Sequence, residues 1–197
     1  MAYPSVNGPY GLVPVKLLSG SPFVGVTRQY KIASGYATAI FNGDAVKLVT
    51  AGTIERDAAD AAMTPIGVFL GCSYTDPTLG YKLFSQNYPA GLVADDIEAV
   101  VVDATDVLFK VAVVSSGTTI GDLALTDLGA NVAMVDNTGN TQTGKSNIAI
   151  SDTSATTATL PLRIVELVEE TKNTSGGYTE ALVKWNAGHQ MTNTTGV

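Results

Sequence analysis

The sequence has one cysteine, one histidine, one tryptophan and few charges. With Cys72 as its only cysteine, no disulfide framework can form within one chain. One Cys and one His also exclude a zinc centre of such ligands within one chain, and no other metal cluster or cofactor signature is present. Lys and Arg number 11 against 18 Asp and Glu, a net charge of −7. Only 15% of residues are charged, against roughly 25% in an average domain. No basic stretch is available to neutralise phosphates, so no nucleic-acid partner is expected. Apolar runs are short and broken by Asp, Gly or Pro, below the ~18 residues a membrane helix needs. The first residues, Met-Ala-Tyr-Pro-Ser, lack the basic and apolar regions of a signal peptide. Neither a membrane partner nor secretion is therefore expected.

What is there is apolar, small and β-forming. Hydrophobic residues make up 45% of 197 positions, too many for charge-driven disorder and enough for one sizeable core or two small ones. Four of the eight prolines, Pro4, Pro9, Pro14 and Pro22, fall near the start. Proline fixes φ and removes a donor, so residues 1–27 are expected to form an extended arm carrying Tyr3, Tyr10, Leu12, Val13 and Leu17. A β-rich body over 28–190 should follow, with room for an outer lobe after about residue 100, and then a frayed tail over 191–197.

Strand signals recur through the body. Arg28–Ser34 alternates with period 2. Asn42-Gly43-Asp44 turns into the strand 45–49, and Pro65–Tyr74 reads as a longer strand whose glycines suggest a bulge. Asp96–Val102 and Val107–Val114 are rich in β-branched residues. Residues 162–168 and 178–185 flank Asn173-Thr-Ser-Gly-Gly177, a hairpin pattern. Residues 120–128 form the best helix candidate, shortened by flanking glycines. The expected class is mainly β with little helix: one partly open barrel or sandwich-like domain plus the arm.

Few motifs carry chemistry. Gly139-Asn-Thr-Gln-Thr-Gly144-Lys145-Ser146 matches the phosphate-loop pattern GxxxxGK[ST]. That loop works only between a buried strand and a helix whose amides cradle phosphates. Here Asn-Ile-Ala-Ile follows, which reads as strand, so a surface loop is expected. His189 is placed for packing, Cys72 as a small buried hydrophobe, and Asp95, Asp96 and Glu98 as a solvated strand entrance. No catalytic residues are assigned, and an enzyme is not expected.

One stretch carries more. Gly43-Asp-Ala-Val-Lys-Leu-Val49, then Gly52-Thr-Ile-Glu-Arg-Asp57, then Thr64-Pro-Ile-Gly-Val-Phe-Leu70 resembles the core signature of tailed-bacteriophage capsid decoration (cement) proteins. There a G-D-x-V strand leads through a tight turn into a second strand, an Ala-rich loop and P-[IL]-G-[VI]. More broadly, the segments 8–15, 67–77 and 155–165 are similar to structural proteins of marine phages. The resemblance implies a small β-barrel or β-tulip domain on the outer surface of the virion capsid. The major capsid protein would be its partner, and the chain would form a homo-oligomer, commonly a trimer at local threefold axes. This chain is longer after residue 100 than the smallest members. Some relatives add an arm strand to the shell, which makes Tyr3, Pro4, Tyr10, Leu12, Val13, Pro14 and Leu17 the candidate capsid contacts. The alternatives are a head fibre or knob, a tail or neck protein, and a nucleotide-binding enzyme domain resting on the Gly139–Ser146 match.

Overall fold

Turns built on glycine, asparagine and proline cut the chain into short β-branched segments, and these pair as strands. A computed structural model describes residues 5–58, 61–172 and 176–193. In chain order the strands are β1 (Val13–Leu17), β2 (Arg28–Ile32), β3 (Ile40–Phe41), β4 (Ala45–Leu48), β5 (Thr53–Arg56), β6 (Gly67–Thr75), β7 (Lys82–Ser85) and β8 (Asn87–Tyr88). There follow β9 (Glu98–Val102), β10 (Val107–Ser116), β11 (Thr119–Ile120), β12 (Asn131–Val135), β13 (Ala149–Ala155), β14 (Leu162–Leu167) and β15 (Glu180–Trp185).

These strands close two rings rather than one open barrel. The first runs β4–β5–β2–β9–β6 and returns from β6 to β4, with β7 attached outside β6. The second is a five-stranded barrel, β10–β13–β12–β14–β15, closed by pairing of β15 with β10. Closure removes edges, which is how small all-β folds avoid pairing with strangers. The expected terminal hairpin is present: β14 pairs antiparallel with β15 from Leu162↔Trp185 to Leu167↔Ala181. The residues after about 100 thus build the second ring, apart from β1, which comes from the amino-terminal stretch and pairs antiparallel with β10.

Two strands that read alike in sequence lie in different rings. β9 pairs with β2 and β6, and β10 changes partners along its ten residues from β1 and β15 to β13 and β11. Each ring fills its interior with side chains. Phe69, Ile54, Val101 and Tyr88 fill the first. Phe109, Val111, Ile150, Val183 and Trp185 fill the second, where Phe109 meets Trp185 edge-on at 5.7 Å between centroids. The second core also takes in Ala45, Met63, Val68 and Val102, so the two interiors meet.

The helix expected over 120–128 is not formed. The stretch contains the end of β11 and one 3-10 turn, Leu125–Asp127. Gly121 lies so close to β10 that a Cβ there would stand 2.5 Å from the Val114 carbonyl carbon. Leu123 is buried while Leu125 and Leu128 are exposed, so the leucines never form the one-sided stripe a helix buries. Asp127 instead holds the turn by accepting from the Ala124 amide and the Ser154 hydroxyl.

The amino-terminal stretch is extended over β1 and lies on the body. Leu12 is fully buried in the second core, and Leu17 packs against it. The Gly11 amide donates to Ile148 and the Leu12 amide to Gly43. Beyond β1 the chain folds back: the Leu17 amide donates to Ser21, and the Phe23 amide to Val15. The backbone from 11 to 23 therefore finds many of its partners within the chain. We predict that Leu12→Ala destabilises the fold by about 2–5 kcal/mol, the range for emptying a tightly packed core site. Equilibrium denaturation with unchanged m-value is the check, and a loss under 1 kcal/mol would contradict the burial described here.

Candidate functional site

The rings meet where three loops cross: residues 10–12, 41–44 and 144–148. Gly11 and Gly43 both have left-handed φ, 84° and 97°. They touch backbone to backbone, since a Cβ on Gly43 would lie 3.1 Å from Gly11 Cα, and one on Gly11 would lie 2.6 Å from Ser146 Cβ. Only glycine satisfies both the φ and the space.

The Gly139–Ser146 segment, which matched the phosphate-loop letters, is one of these three loops. Asn42 and Lys145 form a parallel bridge. The Asn42 amide donates to Gly144 at 3.0 Å, and the Ser146 amide to Asn42 at 2.9 Å. Asn140 Oδ1 accepts from the Gln142 and Thr143 amides and shapes the turn. Ser146 is buried, and β13 follows rather than a helix. The amides at 144 and 146 thus face backbone carbonyls, not a ligand, and the segment acts as a clasp between the rings.

Beneath the clasp lies Asp44, at 0% exposure. Its Oδ2 accepts from the Phe41 amide at 2.9 Å and from Arg56 Nε at 3.0 Å. Arg56 extends from β5 across the junction to Asp136, just past β12, holding that carboxylate through both terminal nitrogens. Burial raises the Asp44 pKa above its ordinary 3.8, and the Arg56 charge, the Ser146 hydroxyl and the Phe41 amide pull against it. Arg56 is therefore the cation on which one buried carboxylate and one half-buried one depend. Sequence reasoning missed this pair. Its signal lay in the β4–β5 hairpin, whose register sets Val46 opposite Arg56 and so returns Arg56 to the neighbourhood of Asp44.

The candidate contact residues scatter. Tyr3 and Pro4 lie outside the described residues. Leu12 is in the core, and Val13, Pro14 and Leu17 are half-buried on β1. The Tyr10 hydroxyl donates to the buried Glu180 carboxylate, which Lys110 also approaches at 3.1 Å, while the Lys110 ammonium sits 5.7 Å from the Tyr10 ring centroid. Burial, and then the bond to Glu180, holds the Tyr10 phenol protonated. These residues tie the stretch to its own body. The large apolar groups it offers to solvent are others: Val15, Leu18, Val24 and Val26, of which Val24 is 80% exposed.

The remaining singled-out residues have structural surroundings. Cys72 is buried in β6, and burial pushes its thiol up to about 12, which leaves almost no thiolate near neutrality. Asp96 accepts from the Thr75 amide and hydroxyl, and Glu98 pairs with Lys31 at 2.9 Å. Among the described residues no group of His, Cys, Asp or Glu is arranged to hold a metal ion. His189 is buried against Trp185, with ring centroids 5.8 Å apart, and its Nδ1 accepts from the Met191 amide. Burial lowers its pKa, opposed by the Asp103 charge and the Ile66 backbone.

Comparison with known proteins returned no matching family model, no matching curated protein and no matching solved structure.

Two outcomes follow from these electrostatics. Arg56→Ala leaves the Asp44 carboxylate buried without its cation, and should cost about 3–5 kcal/mol. Denaturant melts would show it, and a near-neutral variant would mean that the junction does not rely on this charge. For His189, the unfolded imidazole takes up a proton near 6.5, while the buried one does so only at lower pH. Acidification through that window favours the unfolded chain, so stability should fall from about pH 7 downward. The thermal midpoint of His189→Phe should fall less steeply between pH 7.5 and 5.5, and an unchanged slope would place the acid sensitivity elsewhere.

Proposed function

We propose that this chain is a non-catalytic structural protein of a tailed-phage particle, bound to the outside of the head where it reinforces contacts between capsomers. The observation that carries the reading is how the signature residues 43–70 are used. They form β4, β5 and the start of β6, with β4 paired to both of the others in the first ring. Its distinctive letters have physical work in that unit. Gly43 permits the close crossing, and Asp44 anchors the Phe41 amide and Arg56. Asp57 receives the Thr64 amide and so closes the Ala-rich loop. Gly67 lies against Val102, where a Cβ would come within 2.2 Å of its carbonyl oxygen. A resemblance whose letters build one structural unit is stronger than the same letters scattered over a surface.

The function needs a rigid body, an apolar contact segment and many copies, so that weak contacts multiply. Closed rings supply the first. The loop of residues 18–27 supplies the second, with Leu18, Val24 and Val26 in solvent and no charged residue within it. It is the best candidate for the shell contact, in place of the side chains committed to the chain's own core.

The test is reconstitution on heads lacking the protein. Wild-type chain should decorate them in many copies over the shell surface. The double variant Val24→Asp, Val26→Asp should lower occupancy by about tenfold or more, with an unchanged thermal midpoint because both side chains are exposed. Undiminished occupancy removes the loop from the contact. Few copies at one vertex or on the tail would favour a fibre, neck or tail component.

A further inference from the structure

We propose that Asn7 is a site of spontaneous covalent modification, losing its side-chain amide through a succinimide to leave aspartate and isoaspartate, while the fold holds the identical Asn42-Gly43 pair unreactive. This goes beyond the capsid reading and does not rest on it.

Asn-Gly occurs twice in the sequence, at Asn7-Gly8 and at Asn42-Gly43. The pair carries its own chemistry. The glycine backbone nitrogen attacks the asparagine Cγ, a new N–C bond closes a cyclic imide, and the Cγ–Nδ2 bond breaks. Ammonia leaves with the proton of the glycine amide. Water then opens the ring at either carbonyl, and no oxidant, metal or second protein is needed. Glycine favours closure because it has no Cβ in the way and reaches backbone conformations that other residues avoid. A folded chain permits the reaction where the glycine nitrogen is free to turn and the asparagine side chain is not held elsewhere.

Both conditions are met at Asn7. It is exposed and lies in a stretch without regular secondary structure. Among the described residues no hydrogen bond holds the Asn7 side chain or the Gly8 amide. A Cβ built on Gly8 would meet nothing within 4 Å, so open space surrounds the backbone there. The tethers of the stretch lie to either side. The Tyr178 amide donates to the Val6 carbonyl at 3.0 Å, and the Gly11 amide donates to Ile148 at 3.1 Å. Asn7 and Gly8 span the gap between them, and Pro9 has no N–H with which to add a tether.

Neither condition is met at Asn42. The Gly43 amide donates to the Phe69 carbonyl at 2.8 Å, so the nucleophile is engaged. Asn42 Nδ2 donates to the Leu70 carbonyl, which holds the side chain. The Asn42 amide and carbonyl are bonded to Gly144 and Ser146, and Gly43 is wedged against Gly11 and Leu12. The loop has no room to rotate, so reaction at Asn42 requires the ring junction to open first. The same two letters thus have opposite fates, set by structure alone.

The product adds a negative charge to a chain already at −7. In the isoaspartate form the main chain runs through Cγ and gains one carbon between the Val6 and Gly11 tethers. The age of the chain is thereby written as charge and length at the start of the amino-terminal stretch, outside the core that Leu12 enters.

The test incubates the purified full chain at mildly alkaline pH and follows its tryptic peptides by mass spectrometry. Asn7 is the one asparagine of peptide 1–16 and Asn42 the one of peptide 32–47, so each reports its own conversion of amide to acid. Labelling by a protein-isoaspartate methyltransferase marks the isoaspartate product. In the folded chain Asn7 should convert faster than Asn42 by about tenfold or more, and in concentrated urea the two should convert at similar rates. Gly8→Ala should slow conversion at Asn7 by about tenfold, with an unchanged melting point because the added methyl enters open space. Equal rates in the folded chain, an Asn7 that converts only in urea, or a Gly8→Ala chain that converts as fast as wild type would each overturn the proposal.

Discussion

A carboxylate with no exposure to water governs the junction of the two rings. Moving such a charge from water into protein costs several kcal/mol unless partners replace its hydration. Asp44 has the Phe41 amide and the Arg56 guanidinium, and Arg56 in turn needs Asp136 from the other ring. The demand of one charge thus fixes the turn at 41–44, the reach of β5 and the position of the segment after β12. Coverage of the same spot requires Gly11 and Gly43 to touch, and Ser146 to close over them. The rings share this polar knot as well as a continuous apolar interior, and neither ring could be shifted against the other without exposing or stranding it.

Much of the fold was legible because local patterns and tertiary structure agree. Alternation over 28–34, the Asn-Gly-Asp turn and the β-branched runs at 96–102 and 107–114 all became strands, and the terminal hairpin paired as its pattern implied. Closure was not legible. The pairings that finish each ring, β6 with β4 and β15 with β10, join strands far apart in sequence, and no local signal records them. Two of the pairings, β2 with β5 and β10 with β13, are parallel, which no hairpin turn can announce. The leucines at 123, 125 and 128 suggested a helix, but a glycine crowded against β10 and a carboxylate-held turn decided otherwise.

The candidate site shows the same division. Burial of the two sparse residue types could be anticipated: Cys72 and His189 both lie in the interior, which raises the pKa of the thiol and lowers that of the imidazole. The phosphate-loop letters show why context matters. Amides that would face a phosphate at a helix start face backbone carbonyls instead, Gly144 that of Asn140 in its own loop and Ser146 that of Asn42 in a neighbouring one. The aromatic and proline content of the first residues pointed to an extended arm, and the described part of it holds the five-residue β1 followed by a fold-back. It could not reveal that Leu12 and Tyr10 are occupied within the chain while less conspicuous valines further on remain in solvent.

The pairing of β1 with β10 has a consequence in time. During synthesis the first strand leaves the ribosome long before its partner, for Val13 pairs with Lys110 and Tyr10 bonds to Glu180. Until nearly the whole chain has emerged, Leu12 has no interior to enter, and the second ring cannot close until β15 arrives. Contacts of such separation make folding slow and leave apolar segments waiting. The first ring has all its strands by Val102, so its closure does not depend on any later residue, whereas that of the second ring waits for β15.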